Sequence, residues 1–201
     1  MKTEIEVDLV NIDGGNKGSV LRLLERLDVK VNEVGADNLP EGNRPLILPG
    51  VGAFGAVMQS IEKGGLSQCV TKLVKSGTPY LGICVGMQIL FDGSEETPGI
   101  VGLGLVPGSV VRFTKGKVPQ IGWNKLDNLQ NNGYEPGYAY FVNSYYAVPT
   151  NKSDTLYSAD YHERFCAAVQ RDNITGFQFH PEKSGAFGQK LMQRWLSNVS
   201  K

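Results

Sequence analysis

Residues 80–91 read Tyr80-Leu81-Gly82-Ile83-Cys84-Val85-Gly86-Met87-Gln88-Ile89-Leu90-Phe91. Tyr80 to Ile83 is a short apolar run of the length of a buried strand, and Met87 to Phe91 continues straight into a helical pattern. Between them stands Gly82-x-Cys84-x-Gly86, a cysteine flanked by glycines at a strand-to-helix turn. Such a turn holds its central residue in a strained conformation and displays the side chain. The following helix would offer free N–H groups and a positive dipole end, which favour a thiolate and a developing oxyanion. The plain alternative is a core cysteine in a glycine-rich turn, since free cysteine packs well in apolar surroundings.

The same alternation extends toward the N-terminus. Ile5, Val7 and Leu9 lead to Val10 and Ile12 as a first strand, closed by the turn cluster Asp13-Gly14-Gly15-Asn16. Val20, Leu23, Leu24 and Leu27 recur at helical spacing, and Val29 to Val34 reads as a second strand. Leu46-Ile47-Leu48 is a buried strand stopped by Pro49-Gly50. Phe54, Val57, Met58 and Ile61 form a helical stripe that Val70, Leu73 and Val74 resume after Gly64-Gly65. This β-α-β-α order implies a parallel sheet covered on both faces.

Beyond Phe91 the character changes. Val110 to Phe113, Tyr138 to Val148, Ala167 to Gln170 and Thr175 to Phe179 are strand-like runs separated by turn residues. Phe187, Leu191, Trp195 and Val199, each four apart, close the chain with an amphipathic helix. With no repeat or linker in view, the expectation is one α/β domain over residues 1–201 with a small antiparallel extension.

The bulk numbers exclude several classes. Lys+Arg and Asp+Glu are 20 each, so the net charge is zero. With no basic run, this argues against nucleic acid or a membrane surface as the main partner. No stretch nears the ~18 apolar residues of a membrane span, and the N-terminus lacks a signal-peptide pattern, so cytoplasm is the expected location. The 3 cysteines, Cys69, Cys84 and Cys166, are odd in number and scattered. That speaks against a disulfide framework or a zinc site.

A cysteine nucleophile needs a base, and the base an orienting group. The sequence offers 2 histidines. His162 lies in the charged stretch Asp160-Tyr161-His162-Glu163-Arg164, which reads as a solvated turn. His180 ends the apolar run Gly176-Phe177-Gln178-Phe179, at a strand terminus where active-site groups are displayed. Glu182 lies two residues on. In an extended segment i and i+2 point to the same side, so Glu182 could reach the imidazole. Cys84, His180 and Glu182 together suggest a triad.

Taken in order, six segments resemble the class I glutamine amidotransferases, and most closely the glutaminase subunits of imidazole glycerol phosphate synthase. They are Gly14-Gly15-Asn16, Pro49-Gly50-Val51-Gly52, Gly82 to Gln88, Pro119-Gln120-Ile121-Gly122-Trp123-Asn124, Tyr140 to Tyr145, and Gly176 to Ser184. The resemblance implies a flavodoxin-like fold, a mostly parallel central sheet flanked by helices. It implies that Cys84 attacks the glutamine carboxamide, that His180 shuttles the proton and that Glu182 orients His180. Gly50, Val51 and Gly52 resemble the family's oxyanion strand, with an N–H near Val51 and that of Val85 as donors. Gln88 resembles the contact for the amino-acid end of glutamine, and Asn143, Ser144 and Tyr145 the opposite wall. Trp123 and Tyr140 fall where the family docks its partner, a (β/α)8-barrel synthase in a one-to-one heterodimer. No metal or organic cofactor is implied.

Two departures stand out. Asp13 and Lys17 flank the first glycine turn where the family has an aromatic and an apolar residue, and Asn143 stands where histidine is common. Relatives serving anthranilate or guanylate synthesis carry Pro-Gly-Pro-Gly in place of Pro49-Gly50-Val51-Gly52, and those for pyridoxal phosphate a Gly-Gly-Glu-type turn. Competing expectations are a paralogue aminating another metabolite such as a surface sugar, a non-catalytic scaffold, and a cysteine peptidase or thioesterase.

Overall fold

The computed structural model describes residues 5–12, 17–130 and 133–199. Its N-terminal half runs β1 (Glu6–Val10), α1 (Lys17–Arg26), β2 (Lys30–Val34), β3 (Leu46–Gly50), α2 (Phe54–Glu62), α3 (Leu66–Lys75), β4 (Tyr80–Cys84) and α4 (Val85–Gln88). There follow β5 (Gly108–Arg112), β6 (Gln120–Asn128), β7 (Gly137–Asn143), β8 (Tyr145–Pro149), β9 (Thr155–Asp160), β10 (Arg164–Arg171), β11 (Ile174–Phe177) and α5 (Gly185–Val199). The strands form one mixed sheet in the order β2-β1-β3-β4-β11-β10-β9-β6-β7, with β8 pairing β10 and β5.

The five strands β2-β1-β3-β4-β11 are parallel. Every residue of β3, β4 and β11 is buried, which is why these segments read as continuous apolar runs. Sequence order turns back at β1: β2 lies to one side of it and β3 to the other. Right-handed crossovers then put α1 on one face and α2 with α3 on the other. The break between α2 and α3 falls at Gly64 and Gly65, whose φ values of 60° and 77° favour glycine. The closing helix buries Leu191 and Trp195. The expected helices at Val20–Leu27 and Phe187–Val199 are both present. No helix among the described residues is long and apolar enough to cross a membrane.

Several expectations need correction. β3 does not stop before Pro49 but runs to Gly50, which pairs opposite Cys84. β1 pairs with β3 only as far as Ile47, so Pro49 has a neighbour on one side only and its missing N–H is tolerated. The helix expected over Met87–Phe91 is a single turn. Leu103 N–H and Leu105 N–H donate to the carbonyls of Ile89 and Leu90 (2.7 and 2.8 Å), so those carbonyls serve a returning loop instead of a longer helix. The run Tyr138–Val148 is two strands, broken at Ser144. β6 and β9 lie outside the strand-like runs of the sequence. The turn Asp13-Gly14-Gly15-Asn16 lies outside the described residues.

Candidate active site

Cys84 ends β4 with φ 56° and ψ −114°, a region that an L-residue occupies only under constraint, at a cost of roughly 1–3 kcal/mol. The constraint is close packing. A Cβ on Gly86 would stand 1.9 Å from the Leu48 carbonyl oxygen, so the peptide after the cysteine fits against β3 only as glycine. From below, the buried Tyr80 hydroxyl donates to the Gly86 carbonyl at 2.9 Å. The turn is therefore held on both sides, and Cys84 Sγ faces a cavity.

That cavity has a volume of about 500 Å³. It gathers Val51, Gly52, Cys84, Val85, Gln88, Asn143, Ser144, Tyr145 and His180, all expected at the site. Gly50 is buried directly behind, at the end of β3. The lining also includes Glu96, Pro119, Val142 and Lys183, which sequence reasoning missed as pocket residues. Another cavity of about 510 Å³ opens near the ends of β1 and β2, lined by Glu33, Asp37, Ser60 and Lys63 among others. Its lining holds neither cysteine nor histidine, so it offers no nucleophile–base pair.

His180 follows β11, which lies beside β4 in parallel register. Its Nδ1 meets Glu182 Oε1 at 2.8 Å, leaving Nε2 for the cysteine. The route to that contact differs from the expected extended strand: Pro181–Lys183 is a 3-10 turn, entered by Pro181 at its first position. The turn, not strand alternation, carries Glu182 back to the imidazole. Burial works against charge on His180, yet hydrogen bonds with Cys84 and Glu182 outweigh it and push the imidazolium up to about 10, from 6.5. The site thus favours a protonated histidine beside the sulfur.

The backbone around His180 is tied to β7. His180 N–H donates to the Tyr140 carbonyl at 2.9 Å. Ser184 Oγ accepts from Tyr140 N–H (2.9 Å) and donates to the His180 carbonyl (2.7 Å). On the opposite wall, the Tyr145 carbonyl accepts from Asn143 Nδ2 at 3.0 Å and from Gln88 Nε2 at 3.2 Å. Asn143 Oδ1 is buried with no hydrogen-bond partner among the described residues, so it is an acceptor in search of a donor. Glu96 Oε2 accepts the Phe54 N–H at the start of α2, at 2.7 Å. It comes from an irregular loop, where no periodicity could have marked it.

The other two cysteines stand apart. Cys166 is buried in β10, and burial pushes its thiol up to about 12. Cys69 is half-buried in α3 and donates to the Pro40 carbonyl. Trp123 and Tyr140 are paired across β6 and β7, their ring centroids 6.1 Å apart. Ile121, Trp123 and Tyr138 on the same face are 64%, 57% and 59% exposed, a contiguous apolar patch of the kind that marks interaction surfaces. Val142 joins this patch to the cavity rim.

Comparison with known proteins agrees with this architecture. The family model for class-I glutamine amidotransferases matches residues 9–199. The chain is 42% identical to the imidazole glycerol phosphate synthase subunit HisH of Geobacillus thermodenitrificans, covering 96% of each chain. It is 46% identical to the protein of the same name from Deinococcus radiodurans, covering 97% of this chain and 94% of that one. A solved glutamine amidotransferase superposes with a TM-score of 0.79 at 22% identity, covering 97% of this chain and all (100%) of that one. The PurLQS structure from Thermotoga maritima gives 0.76 at 21%, covering 98% and 100%; these two show the fold alone. With a family match over almost its whole length and HisH relatives above 40% identity, the chain belongs to the class-I glutamine amidotransferase family.

Proposed function

We propose that this chain is the glutaminase subunit of imidazole glycerol phosphate synthase, hydrolysing glutamine and passing ammonia to a synthase partner in histidine biosynthesis. The observation that carries this reading is the line Glu182–His180–Cys84 opening on a cavity roomy enough to admit an amino acid, in a chain that shares more than 40% identity with HisH subunits over their length. The reading treats residues 1–201 as one catalytic domain working in the cytoplasm.

In the proposed reaction Cys84 gives its proton to His180, and the thiolate bonds to the side-chain carbonyl carbon of glutamine. The N–H groups of Val51 and Val85, with Gly50 and Gly52 freeing the backbone to turn, take the charge on the carbonyl oxygen; one such donor is worth about 10²–10³ in rate. The C–N bond then breaks as His180 Nε2 hands its proton to the departing nitrogen, releasing ammonia and leaving a γ-glutamyl thioester. Water attacks the thioester and gives a proton to His180, and the C–S bond breaks to release glutamate. Glu182 holds the imidazole in one tautomer throughout. Gln88, Asn143, Ser144 and Tyr145 bind the amino-acid end of the substrate.

The exposed face of β6 and β7, with Trp123 and Tyr140 at its centre, is proposed to seat a (β/α)8-barrel synthase as a one-to-one heterodimer. Aromatic anchors of this kind carry a large share of interface energy. Ammonia would there join a ribonucleotide intermediate, giving imidazole glycerol phosphate and an aminoimidazole carboxamide ribotide. The test is glutamate release by the purified chain, with and without a barrel subunit and its ribonucleotide ligand. Strong stimulation by the barrel supports the reading. Stimulation by a different synthase instead would transfer the chain to another pathway.

A further inference from the structure

We infer that Gln178 is a positioning residue of the reaction, whose side-chain amide donates to the Cys84 sulfur and links that sulfur to Gln88 through one oriented chain of amides. The inference rests on the glutaminase reading for the role given to Gln88. It starts from register. Cys84 stands in the sheet between Gly50 of β3 and the continuation of β11, where Phe177 pairs with Ile83. The next residue along β11 is Gln178, fully buried, its own N–H anchored on the Ala167 carbonyl of β10 at 2.9 Å. Since Gly50 carries no side chain, Gln178 is the strand neighbour able to offer the sulfur a polar group.

The direction of that group follows from the far end of the chain. The Tyr145 carbonyl can only accept, so it requires Gln88 to present its NH₂ end, at 3.2 Å. The same NH₂ of Gln88 has a second proton, which goes to Gln178 Oε1 at 2.9 Å. With its oxygen committed to Gln88, Gln178 must turn its own NH₂ the other way, where Nε2 lies 3.8 Å from Cys84 Sγ. Flipping Gln178 would set two NH₂ groups against each other and a carbonyl oxygen against the sulfur. The Tyr145 carbonyl thus orients two amides in series, Gln88 and then Gln178.

The chemical consequence is specific. An amide NH₂ has protons to give and no lone pair to accept the thiol proton, so it supports sulfur as an acceptor and favours thiolate over thiol. It approaches from the sheet side, whereas His180, backed by Glu182, lies along the cavity wall. Glu96 and Lys183 are the other charged groups lining the same cavity. Gln178 therefore supports the sulfur at the two points where it carries charge, before it bonds to the carbonyl carbon and again as the C–S bond breaks. Because Gln88 lies in the same chain, a substrate contact at Gln88 bears directly on the amide facing the sulfur.

The experiment is the pH profile of Cys84 alkylation by iodoacetamide in the full chain, located by peptide mass, with Cys84→Ala reporting background from Cys69 and Cys166. Two variants are compared with wild type: Gln178→Met, which keeps length and removes the donor, and Gln178→Glu, which keeps the acceptor for Gln88 and replaces the donor with a carboxylate. We expect both profiles to move to higher pH, with roughly tenfold slower alkylation at neutral pH. In the partner-stimulated glutaminase assay kcat should fall about 10- to 100-fold with KM changed less than about threefold. Wild-type alkylation profiles in folded variants would overturn the inference and leave Gln178 a packing residue. Should neither variant fold, Gln88→Met provides the decision: it releases the Gln178 amide to rotate, and must shift the profile the same way or the inference fails. The alkylation readout needs no glutamine, so a shifted profile in a chain that releases no glutamate with any barrel would retain the role of Gln178 and reject the glutaminase reading.

Discussion

The strands around Cys84 and the hairpin of β6 and β7 belong to one sheet yet treat their side chains in opposite ways. β3, β4 and β11 are buried at every position and are closed by residues allowed almost no freedom. β7 alternates, with Ala139, Phe141 and Asn143 turned in and Tyr138, Tyr140 and Val142 turned out or half-exposed. The outward set is apolar, which a strand facing only water has no reason to be. The first region uses close packing to hold one sulfur in a strained position. The second leaves apolar surface uncovered, and the proposed function assigns that surface to a partner.

The ring through Ser184 shows that the two regions are not independent. Tyr140 contributes its ring to the exposed face and both of its backbone groups to the loop that carries His180. A protein seated on Trp123 and Tyr140 would press on the strand that fixes His180. This gives a physical route for partner activation, within the proposed function.

Glycine substitution probes the contrast most sharply. Gly86→Ala drives a Cβ to 1.9 Å from a backbone oxygen of β3. It should cost more than about 4 kcal/mol or prevent folding, measured by urea unfolding. Gly122→Ala on β6 meets no heavy atom within 4 Å and suffers only from its φ of 137°, so a loss of about 1–2 kcal/mol is expected. Equal costs at the two positions would erase the distinction between the packed turn and the open hairpin.

Trp123→Ala comes next in size. Its effect should fall on association, weakening barrel binding by about 2 kcal/mol, read by titration calorimetry. Folding stability of the isolated chain should change by less than about 0.5 kcal/mol. A large stability loss with unchanged association would return Trp123 to the core of its own chain.

The smallest expected effect is a displacement along the pH axis. The folded-state pKa of His180, about 10, lies above the unfolded value of 6.5. Its protonated form is therefore favoured by the fold, and the stabilisation is complete below pH 6.5 and disappears as pH rises through about 10. Glu182→Gln removes one of the groups that raise it, so loss of stability and of glutaminase activity on the alkaline side should begin at lower pH. A profile identical to wild type would mean that Glu182 does not act on the imidazole.

What could be read in the sequence follows the same division. Continuous apolar runs such as Leu46–Leu48 and Tyr80–Ile83 announced the buried strands because both faces are covered. β6 escaped because Gly122, Asn124, Lys125 and Asp127 interrupt any apolar pattern along it. The helix after Cys84 was overread, since Ile89, Leu90 and Phe91 are apolar enough for a helix but give their carbonyls to a loop. The residues of the proposed triad and pocket wall were legible as motifs: Cys84, His180 and the wall residues line one cavity, and Glu182 stands behind His180. Glu96 was not, arriving from an irregular loop. The orientation of Gln178 is set by a backbone carbonyl at position 145, a relation no residue type encodes.

The central claim is that Cys84 carries the glutamyl group of glutamine. Its most direct measurement is acid-quenched peptide mass analysis of the chain while it turns over glutamine with a barrel subunit. One γ-glutamyl adduct is expected on the Cys84 peptide, lost together with glutamate release in Cys84→Ala. Glutamate release that continues in Cys84→Ala, with no adduct in wild type, would contradict it.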